Sequence, residues 1–286
     1  MKTSNLPKIS IVTPSYNQGG FLRETIESIV NQSYPNLEYF IIDGGSTDES
    51  VDIIREYEAR IDWWVSEKDR GQSHAINKGF EKATGELLCW VNSDDILFPD
   101  CLHRVATCYL NSNKPHLIHT NFVHIDSDGV VVRMIRIPQQ SRFFMYRGVW
   151  SVSAPSAFFS AELLHNVGYL NTDLHMSMDL DLWLRMMKAG ARLLYISDYL
   201  GAFRLHQNSK TSTKLSSHKL RDIFREQDYI FDTGLSGTTL RSRFMWRMVW
   251  KIYQMINLNY LRSYIDTLSW KGSHWKRVFS STDYFS

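Results

Sequence analysis

Leu87–Leu97 reads LLCWVNSDDIL, and the other elements of the chain can be placed around this stretch. Its first part, Leu87–Val91, is a short apolar run of the kind that forms a buried central strand. Two acids, Asp94 and Asp95, follow closely, and ligands of open α/β sheets bind beyond the carboxyl ends of the strands. The pair therefore predicts a site for a hard cation or for sugar hydroxyl groups, with a plain strand-end turn as the alternative.

Strands alternate with helices along the first third of the chain. A helical pattern follows each of the first three predicted strands, and Ser46 and Glu49 have the spacing of a capping box before the second helix. This alternation predicts an α/β fold with a largely parallel, doubly wound sheet of the nucleotide-binding kind. The predicted strands are Lys8–Thr13, Leu37–Ile42, Asp62–Ser66 and Leu87–Val91.

Beyond Pro99 the alternation stops. The pattern now predicts two β-rich runs joined by a hairpin-like turn, then an irregular aromatic segment, a helix and a further strand. In this order they are Leu117–His124, Val130–Ile137, Ser141–Ser160, Asp179–Ala189 and Arg192–Ile196. From Ser216 the composition is helical and basic, so we expect an α/β unit over residues 1–215 and a helical extension over 216–286.

The composition narrows the class of protein. The chain has 286 residues, of which 43% are hydrophobic and 22% charged, which indicates a globular protein, and its net charge of +2 argues against a dedicated nucleic-acid binder. Three cysteines without a CxxC pair favour reduced thiols in a cytoplasm. The N-terminal MKTSNLPK lacks an apolar signal core, and no stretch approaches the roughly 18 apolar residues of a membrane span. We therefore expect neither a secretory leader nor an integral membrane protein.

Five motifs in a fixed order resemble those of the inverting glycosyltransferases of family 2, which have the GT-A fold. The similarity is greatest to bacterial members that build O-antigen, capsule or exopolysaccharide repeat units. It implies a Rossmann-like mixed sheet, with a nucleotide-sugar half over residues 1–98 and an acceptor half over 99–215. The motifs are SIVTPSYN (10–17), IIDGGSTDES (41–50), EKDRGQSHAINKGFEKATGELLCWVNSDD (67–95), MDLDLWLRM (178–186) and FRLHQNSKT (203–211).

The resemblance places a nucleotide sugar, commonly a UDP sugar, over the carboxyl ends of the first four strands. Pro14 and Tyr16 match the loop beside the base, and Asp43 matches the acid that binds the uracil or lies next to it. A strand-end turn and a helix-entry residue are the alternative interpretations. Many members have a second acid after the first, whereas this chain has Gly44 at that position.

Further donor residues are implied by the third motif. Asp69 and Arg70 match a loop that lines the donor site, where Arg70 could offset the diphosphate charge through paired hydrogen bonds. A solvated surface arginine is the competing interpretation.

The resemblance also implies a divalent metal ion. Asp94 and Asp95 match the family's variant of the DxD motif, so Asp95 would coordinate Mn²⁺ or Mg²⁺ and Asp94 would accept from the ribose hydroxyls or ligate through water. Such an ion stabilises the charge that develops on the departing nucleoside diphosphate. His206 matches a histidine near the pyrophosphate and is a further candidate for a metal or phosphate contact, although a lone histidine is often structural.

Inverting transfer needs a general base that removes the proton of the acceptor hydroxyl. Asp179 matches the family's base, although Met178 occupies a position where a glutamate is frequent. A helix N-cap is the alternative for Asp179, and the helix dipole would then lower its pKa. Asp181 is the second candidate for the base, and it could instead pair with Arg185 four residues on.

The C-terminal section is basic and aromatic. Residues 241–286 hold eight basic and two acidic residues, interleaved with aromatic side chains. Amphipathic helices of this composition suit the headgroup zone of an anionic membrane, which would fit an acceptor carried on a polyprenyl lipid. Packing onto the catalytic part or a second copy is one alternative. Nucleic-acid binding is another, but no recognised RNA or DNA motif accompanies the charge.

Together these features predict a cytoplasmic, metal-dependent inverting glycosyltransferase attached to the inner face of the membrane. It would move a sugar from a nucleotide sugar, with UDP as the first candidate, to a lipid-linked saccharide in cell-surface polysaccharide synthesis. Two other classes remain open. One is a non-catalytic nucleotide-sugar-binding or scaffold protein. The other is a metal-dependent phosphohydrolase or nucleotidyltransferase, although the chain lacks a GxxxxGK[ST] phosphate loop.

Overall fold

A computed structural model describes residues 6–112, 116–137, 142–149, 152, 154–207, 209–210, 217–232 and 240–279. The strands are β1 (Ile9–Ser15), β2 (Leu37–Asp43), β3 (Trp63–Ser66), β4 (Leu87–Trp90), β5 (Ile96–Leu97), β6 (His116–Ile125), β7 (Val131–Ile135), β8 (Ala157–Ser160) and β9 (Arg192–Arg204). The helices are α1 (Gly19–Val30), α2 (Ser50–Glu56), α3 (Gln72–Lys82), α4 (Cys101–Leu110), α5 (Arg142–Met145), α6 (Ala161–Val167), α7 (Met178–Lys188), α8 (Ser217–Ile230), α9 (Leu240–Ile256), α10 (Asn259–Trp270) and α11 (Trp275–Phe279).

All of these strands join one mixed sheet. Its order is β3-β2-β1-β4-β8-β6-β9-β5, with β7 paired to β6. The pairs among β1, β2, β3 and β4 are parallel, as the alternation of strands and helices predicted. Strand β8 is antiparallel to both β4 and β6, so the second half of the chain enters the same sheet with mixed polarity. The predicted α/β class with a mixed sheet is therefore confirmed.

Three predictions of local structure are wrong. The segment Ser141–Ser160, expected to be irregular, ends in β8, which lies in the middle of the sheet between β4 and β6. Ser46 does not cap α2, because its hydroxyl donates to Asp43 and the helix begins only at Ser50. The last predicted strand, Arg192–Ile196, extends to Arg204 and carries the chain back toward the end of β4.

Buried residues cover both faces of the sheet, as expected of a doubly wound fold. On β4, Trp90 faces one core and Cys89 the other, because successive side chains of a strand point to opposite sides. The indole of Trp90 stacks on that of Trp183 in α7, with ring centroids 5.3 Å apart. Such a pair contributes about 0.5–1.5 kcal/mol beyond the apolar area that it buries. The helix that carries Asp179 is thereby fixed against the central strand.

The C-terminal helices pack partly onto the sheet. Helix α11 contacts the residue after β5, where the rings of Phe98 and Phe279 stack at 3.8 Å. Helix α10 contacts β7, where Thr267 Oγ1 accepts from the backbone N–H of Met134 at 3.0 Å. No helix within the described ranges is both long enough and apolar enough to cross a membrane. The expected boundary at residues 215 and 216 lies outside the described residues, and the division into two parts stays a prediction.

Candidate functional site

A cleft of about 950 Å³ opens at the carboxyl ends of β1 and β4 and extends along the edge of α7. Its position follows from the topology, because parallel strands end at one edge of the sheet and helices begin on either side of that edge. Five of the predicted site residues line the cleft, and they come from well-separated parts of the chain. They are Pro14, Tyr16, Asp69, Asp94 and Asp179.

Pro14 and Tyr16 stand where β1 ends. Pro14 is still within the strand, paired with Ile42 of β2, and the Tyr16 side chain is 61% exposed. The next residue, Asn17, has a positive φ of 50°, and its side-chain oxygen accepts from the N–H of Thr47 at 2.9 Å. This bond ties the loop after β1 to the loop after β2, so the tyrosine ring projects from a fixed turn.

Asp43 is fully buried below this wall of the cleft. Its Oδ2 atom accepts from the N–H of Ser46 at 2.8 Å and from the hydroxyl of Ser66 at 2.6 Å. The carboxylate thus organises the turn after β2 and joins it to β3. Its predicted contact with the base is not tested by these bonds and stays a prediction.

Gly44, which stands in place of a second acid, lies against Asp69. A Cβ atom added at Gly44 would come within 2.7 Å of Asp69 Oδ2 and 3.3 Å of the Tyr16 ring. The Oδ1 atom of Asp69 accepts from the N–H of Gly71 at 2.7 Å, directly before α3. The carboxylate of Asp69 therefore occupies the space that a side chain at residue 44 would need.

The neighbouring Arg70 is exposed and is not among the residues that line the cleft. Its backbone N–H lies 3.4 Å from His74 Nδ1. A contact between its guanidinium and a diphosphate stays a prediction.

Lys210 lines the cleft and was not predicted as a site residue, although it lies within the last motif. Its ammonium donates to Gln72 Oε1 at 2.6 Å. Lys210 is exposed overall, but the surrounding protein removes part of the solvent around its ammonium, which lowers the pKa of Lys210, and the carboxylates of Glu226, Asp69 and Asp94 oppose that shift. A cation at the N-terminus of α3 is suited to bind a diphosphate. Lys210 and Gln72 are distant in the chain, so only folding brings them together.

Asp94 lines the cleft, and its carboxylate contacts His206, which is not among the lining residues. Asp94 Oδ2 lies 2.9 Å from His206 Nε2, and the side chains are 17% and 6% exposed. The ring of His206 also packs on Phe21 of α1 at 4.5 Å. A carboxylate oxygen is the kind of ligand that Mn²⁺ and Mg²⁺ prefer, and phosphate oxygens of a donor would add further ligands of the same kind.

Asp95 is placed differently from its neighbour. It is fully buried, with Oδ1 accepting from the N–H of Arg204 at 3.1 Å and Oδ2 from the amide of Asn92 at 2.8 Å. Burial, with the charge of Asp94, raises its pKa well above the ordinary range. The structure thus turns Asp94 toward the cleft and Asp95 away from it, and the metal-ligand role expected for Asp95 stays a prediction.

Arg204 holds the turn that carries both acids, a role that the sequence did not reveal. It is 1% exposed, and its guanidinium pairs with Glu24 of α1 and donates to the carbonyl of Asp94 at 2.9 Å. The indole of Trp275 in α11 donates to the same Glu24 at 3.0 Å. Removing one partner of a buried ion pair costs about 3–5 kcal/mol, so this network fixes the floor of the cleft.

Asp179 lies in the cleft wall near the start of α7. The helix begins at Met178 with Ser177 as its N-cap, so the N-cap alternative for Asp179 is wrong. Burial raises its pKa to about 6, against the hydrogen bond that the N–H of Leu180 donates to its Oδ1 at 2.8 Å. The lowered pKa expected from the helix dipole is also wrong, because loss of solvent outweighs the dipole at this position.

Asp181, the second candidate for the base, is engaged elsewhere. It forms a salt bridge of 2.8 Å with Arg185, as the spacing of four residues predicted. It is not among the residues that line the cleft, which leaves Asp179 as the acid of this helix that faces the cavity.

An aromatic wall lies across β6 and β9. Phe122, His124 and Phe203 line the cleft, with the His124 ring 5.3 Å from Phe122 and 5.9 Å from Phe203. Burial lowers the pKa of His124 to about 4, so its imidazole is neutral near pH 7. The cleft therefore has a charged part under β1 and β4 and an uncharged aromatic part on the second half of the sheet.

The described residues contain no group of three or more His, Cys, Asp or Glu side chains that could hold a metal ion by themselves. A divalent cation would therefore need ligands from a bound donor in addition to Asp94 and His206. This requirement fits an ion that retains water and phosphate oxygens in its coordination shell.

Solved structures share this fold. S. aureus TarS 1–349 in complex with UDP-GlcNAc superposes with a TM-score of 0.59 at 17% identity, over 78% of this chain and 70% of that one. The mannosyltransferase PcManGT from Pyrobaculum calidifontis, in complex with GDP-Man and Mn²⁺, gives a TM-score of 0.56 at 15% identity, over 93% of this chain and 88% of that one. The predicted GT-A fold is confirmed.

Similar curated proteins are named glycosyltransferases. The chain is 29% identical over 223 residues to an uncharacterized glycosyltransferase of Rickettsia felis, covering 74% of this chain but 36% of that protein. It is 35% identical over 134 residues to an uncharacterized glycosyltransferase of Haemophilus influenzae, covering 46% of this chain and 53% of that one. It thus spans between about a third and a half of these two relatives.

A relative of similar length is the putative teichuronic acid biosynthesis glycosyltransferase TuaG of Bacillus subtilis. It is 27% identical over 217 residues, which cover 74% of this chain and 85% of that protein. The family model for glycosyl transferase family 2 matches residues 10–167, more than half of the chain, and this range contains the first three motifs. The chain therefore belongs to glycosyltransferase family 2.

Proposed function

We propose that this protein is a metal-dependent inverting glycosyltransferase that moves a sugar from a nucleotide sugar to a saccharide acceptor. One observation carries the proposal. A single cleft places Asp94, with His206 beside it, and a carboxylate of raised pKa, Asp179, around the same cavity. Charge stabilisation for the leaving diphosphate and proton removal from the acceptor are the two tasks of such a reaction.

The donor would lie over the ends of β1 and β4. Tyr16 and Pro14 would pack beside the base. Asp43 would fix the turn after β2, which lies next to them. Asp69 would accept hydrogen bonds from hydroxyl groups of the nucleotide, while Lys210 would bind the diphosphate. A UDP sugar is the first donor to test, because the matched motifs and the TarS complex with UDP-GlcNAc both favour it.

A divalent cation, Mn²⁺ or Mg²⁺, when bound, supplies positive charge that stabilises the departing diphosphate. Asp94 and His206 would hold it at the cleft floor, together with phosphate oxygens of the donor. Asp95 accepts from the amide of Asn92 and from the backbone N–H of Arg204, and in this way it would fix the start of the turn that presents Asp94.

Asp179 would be the general base. A base works best when its pKa lies near the working pH, and a carboxylate of ordinary pKa is a poor proton acceptor. Burial raises the pKa of Asp179 to about 6, which brings it into that range. Attack by the deprotonated acceptor hydroxyl from the face opposite the leaving group inverts the anomeric centre.

The acceptor would pack on the aromatic wall of Phe122, His124 and Phe203. The apolar faces of sugar rings pack on aromatic side chains, and three rings on two paired strands offer a rigid surface for them. We propose a saccharide that grows on a polyprenyl lipid in cell-surface polysaccharide synthesis, a class to which teichuronic acid belongs.

The C-terminal helices would attach the protein to the inner face of the cell membrane. Although part of α10 packs on β7, its other face and much of α9 leave large apolar side chains in solvent. Many large apolar side chains exposed on neighbouring helices suggest an interaction surface, and basic residues such as Lys251 and Arg262 fit anionic lipid. Exposed side chains include Phe244, Met248, Ile252, Ile256, Leu261, Tyr264, Ile265 and Leu268.

The experiment is a nucleotide-release assay of the purified protein against UDP, GDP and dTDP sugars, with Mn²⁺, Mg²⁺ or a chelator and with a lipid-linked acceptor extract. We expect release from one donor that requires the metal and a product in which the acceptor gains one sugar. Saturable donor binding without release in the presence of acceptor would instead identify a non-catalytic binding protein. Free sugar phosphate as the product would identify a phosphohydrolase.

A further inference from the structure

The segment before α7 presents three backbone N–H groups to one carboxylate of another helix. Glu226, in the C-terminal half of α8, accepts from the N–H of His175 through Oε1 and from those of Met176 and Ser177 through Oε2, each at 2.8 Å. Hydrogen bonds to a charged acceptor are stronger than those between neutral groups. One side chain therefore fixes three consecutive residues that lie 51, 50 and 49 positions earlier.

The fixed segment leads directly to the proposed base. Ser177 is the N-cap of α7, but its own side chain makes no capping hydrogen bond, and Asp179 follows two residues later. Met176 and Asp179 both line the cleft, so a shift of the segment would move the base relative to the donor. The carboxylate of α8 thus holds the backbone directly before the helix, including the N–H of the N-cap residue itself.

We propose that Glu226 is a positioning residue for Asp179, so that a helix beyond the last of the five sequence motifs completes the acceptor side of the active site. The proposal rests on the proposed role of Asp179 as the base.

The arrangement also sets the charge around the base. The negative charge of Glu226 raises the pKa of Asp179, in addition to the larger effect of burial. The other titratable groups around this helix start are Lys210, whose ammonium lies 3.3 Å from the carbonyl of His175, and the exposed His175 itself. Glu226, Asp69 and Asp94 all attract the ammonium of Lys210, so Glu226 is one of three carboxylates that act on this cation.

The test compares Glu226→Gln and Glu226→Asp with the wild type. Glutamine keeps the size of the side chain but removes the charge and offers only one accepting oxygen, so kcat should fall by up to about 100-fold through misplacement of the base. The donor KM should change little, and the acid limb of the kcat profile should move to lower pH. Aspartate keeps the charge with a shorter reach, so the acid limb should stay near its wild-type pH while kcat still falls.

Asp222→Asn is the matched control, because it removes the same charge from the same helix where Asp222 faces His218. It should leave kcat and the pH profile unchanged. A second readout needs no turnover: carbon-13 carboxyl shifts of aspartate-labelled protein, assigned with Asp179→Asn, should give a lower pKa for Asp179 in Glu226→Gln than in the wild type. This readout separates the positioning role from the proposed activity, because it holds even if no donor is turned over.

An unchanged carboxyl titration and an unchanged pH profile in Glu226→Gln would overturn the proposal. Loss of the folded state in both Glu226 variants, seen by circular dichroism, would also overturn it, since the carboxylate would then hold the fold rather than the base.

Discussion

Asp94 Oδ2 and His206 Nε2 lie 2.9 Å apart, although 112 residues separate them in the chain. Two features bring them together. The turn after β4 projects Asp94 into the cleft, and the long strand β9 returns beside β5 and ends two residues before His206. The pair joins the first half of the sheet to the second at the point where we place the metal and the diphosphate.

Replacing Asp94 with asparagine should preserve the hydrogen bond to His206 and remove the charge that binds the cation. We expect transfer to fall by about 100-fold or more and the Mn²⁺ concentration for half activity to rise. Asp100→Asn is a control outside the cleft, where the side chain is 50% exposed and pairs with Arg104. Metal titrations of both variants check the prediction, and equal metal requirements in the two proteins would contradict it.

Asp179→Asn should abolish proton removal while the donor still binds. A positioned base accounts for about 10²–10⁴-fold in rate, and kcat should fall by that factor. In the wild type, activity should decline below about pH 6, because the base must be deprotonated and burial raises its pKa to about 6. Kinetics between pH 5 and 8, with donor affinity measured by calorimetry, test both statements. Asp181→Asn serves as the control, and a larger kcat loss there than at Asp179 would show that the base is misassigned.

Asp179→Asn should also increase the stability of the folded protein. Because the folded-state pKa of Asp179 lies above the unfolded value near 3.8, the folded protein binds more protons between these values, and stability decreases as pH rises from about 4 to 6. Asparagine removes the buried charge, so we expect the free energy of unfolding at pH 7 to rise by up to about 3 kcal/mol. Denaturant unfolding at pH 7 and pH 4 measures this. The gain should vanish at the lower pH, and a gain of equal size at both values would show that the buried charge is not its cause.

Gly44→Ala should weaken donor binding. Its Cβ would lie 2.7 Å from Asp69 Oδ2 and would displace that carboxylate from the cleft wall, at a cost of about 1–3 kcal/mol in stability. Gly20→Ala is the matched control, since its Cβ meets nothing within 4 Å and alanine favours the helix. Thermal unfolding measures the stability of the two variants, and a donor titration measures their affinity for the nucleotide sugar. If Gly44→Ala binds donor as well as Gly20→Ala does, Asp69 has no part in the donor site.

The exposed face of α10 should govern membrane attachment. Leu261, Ile265 and Leu268 lie on one face of this helix and are 50%, 51% and 61% exposed. Changing all three to serine should reduce flotation with anionic vesicles, because the apolar contact with the acyl region is lost. A variant with Leu110 and Val132 changed to serine replaces exposed apolar residues elsewhere and should float like the wild type. Equal flotation of all proteins would point to packing against another protein instead.

Local pattern was enough to predict the first half of the fold. The apolar runs of β1 to β4 and the helices between them follow from periodicity within short windows, and the acids after β4 stand next to the strand that presents them. Strand β8 was missed, because a run of four residues, AFFS, inside an aromatic segment has too little pattern to distinguish a strand. The predicted capping box is absent because the hydroxyl of Ser46 donates to the buried carboxylate of Asp43 and not to the helix.

By itself, the sequence determined the family, the alternation of parallel strands with helices and the identity of the acids, since these depend on motifs and on contacts close along the chain. Only the tertiary structure decided which acid faces the cleft. Asp94 lines the cleft and Asp95 does not, and Lys210 forms a hydrogen bond with Gln72, which lies 138 positions earlier in the chain. The tertiary structure also brought Glu226 to the start of α7 and set the pKa of Asp179. Burial and charge at a site depend on segments that are distant in the chain, and packing alone brings those segments together.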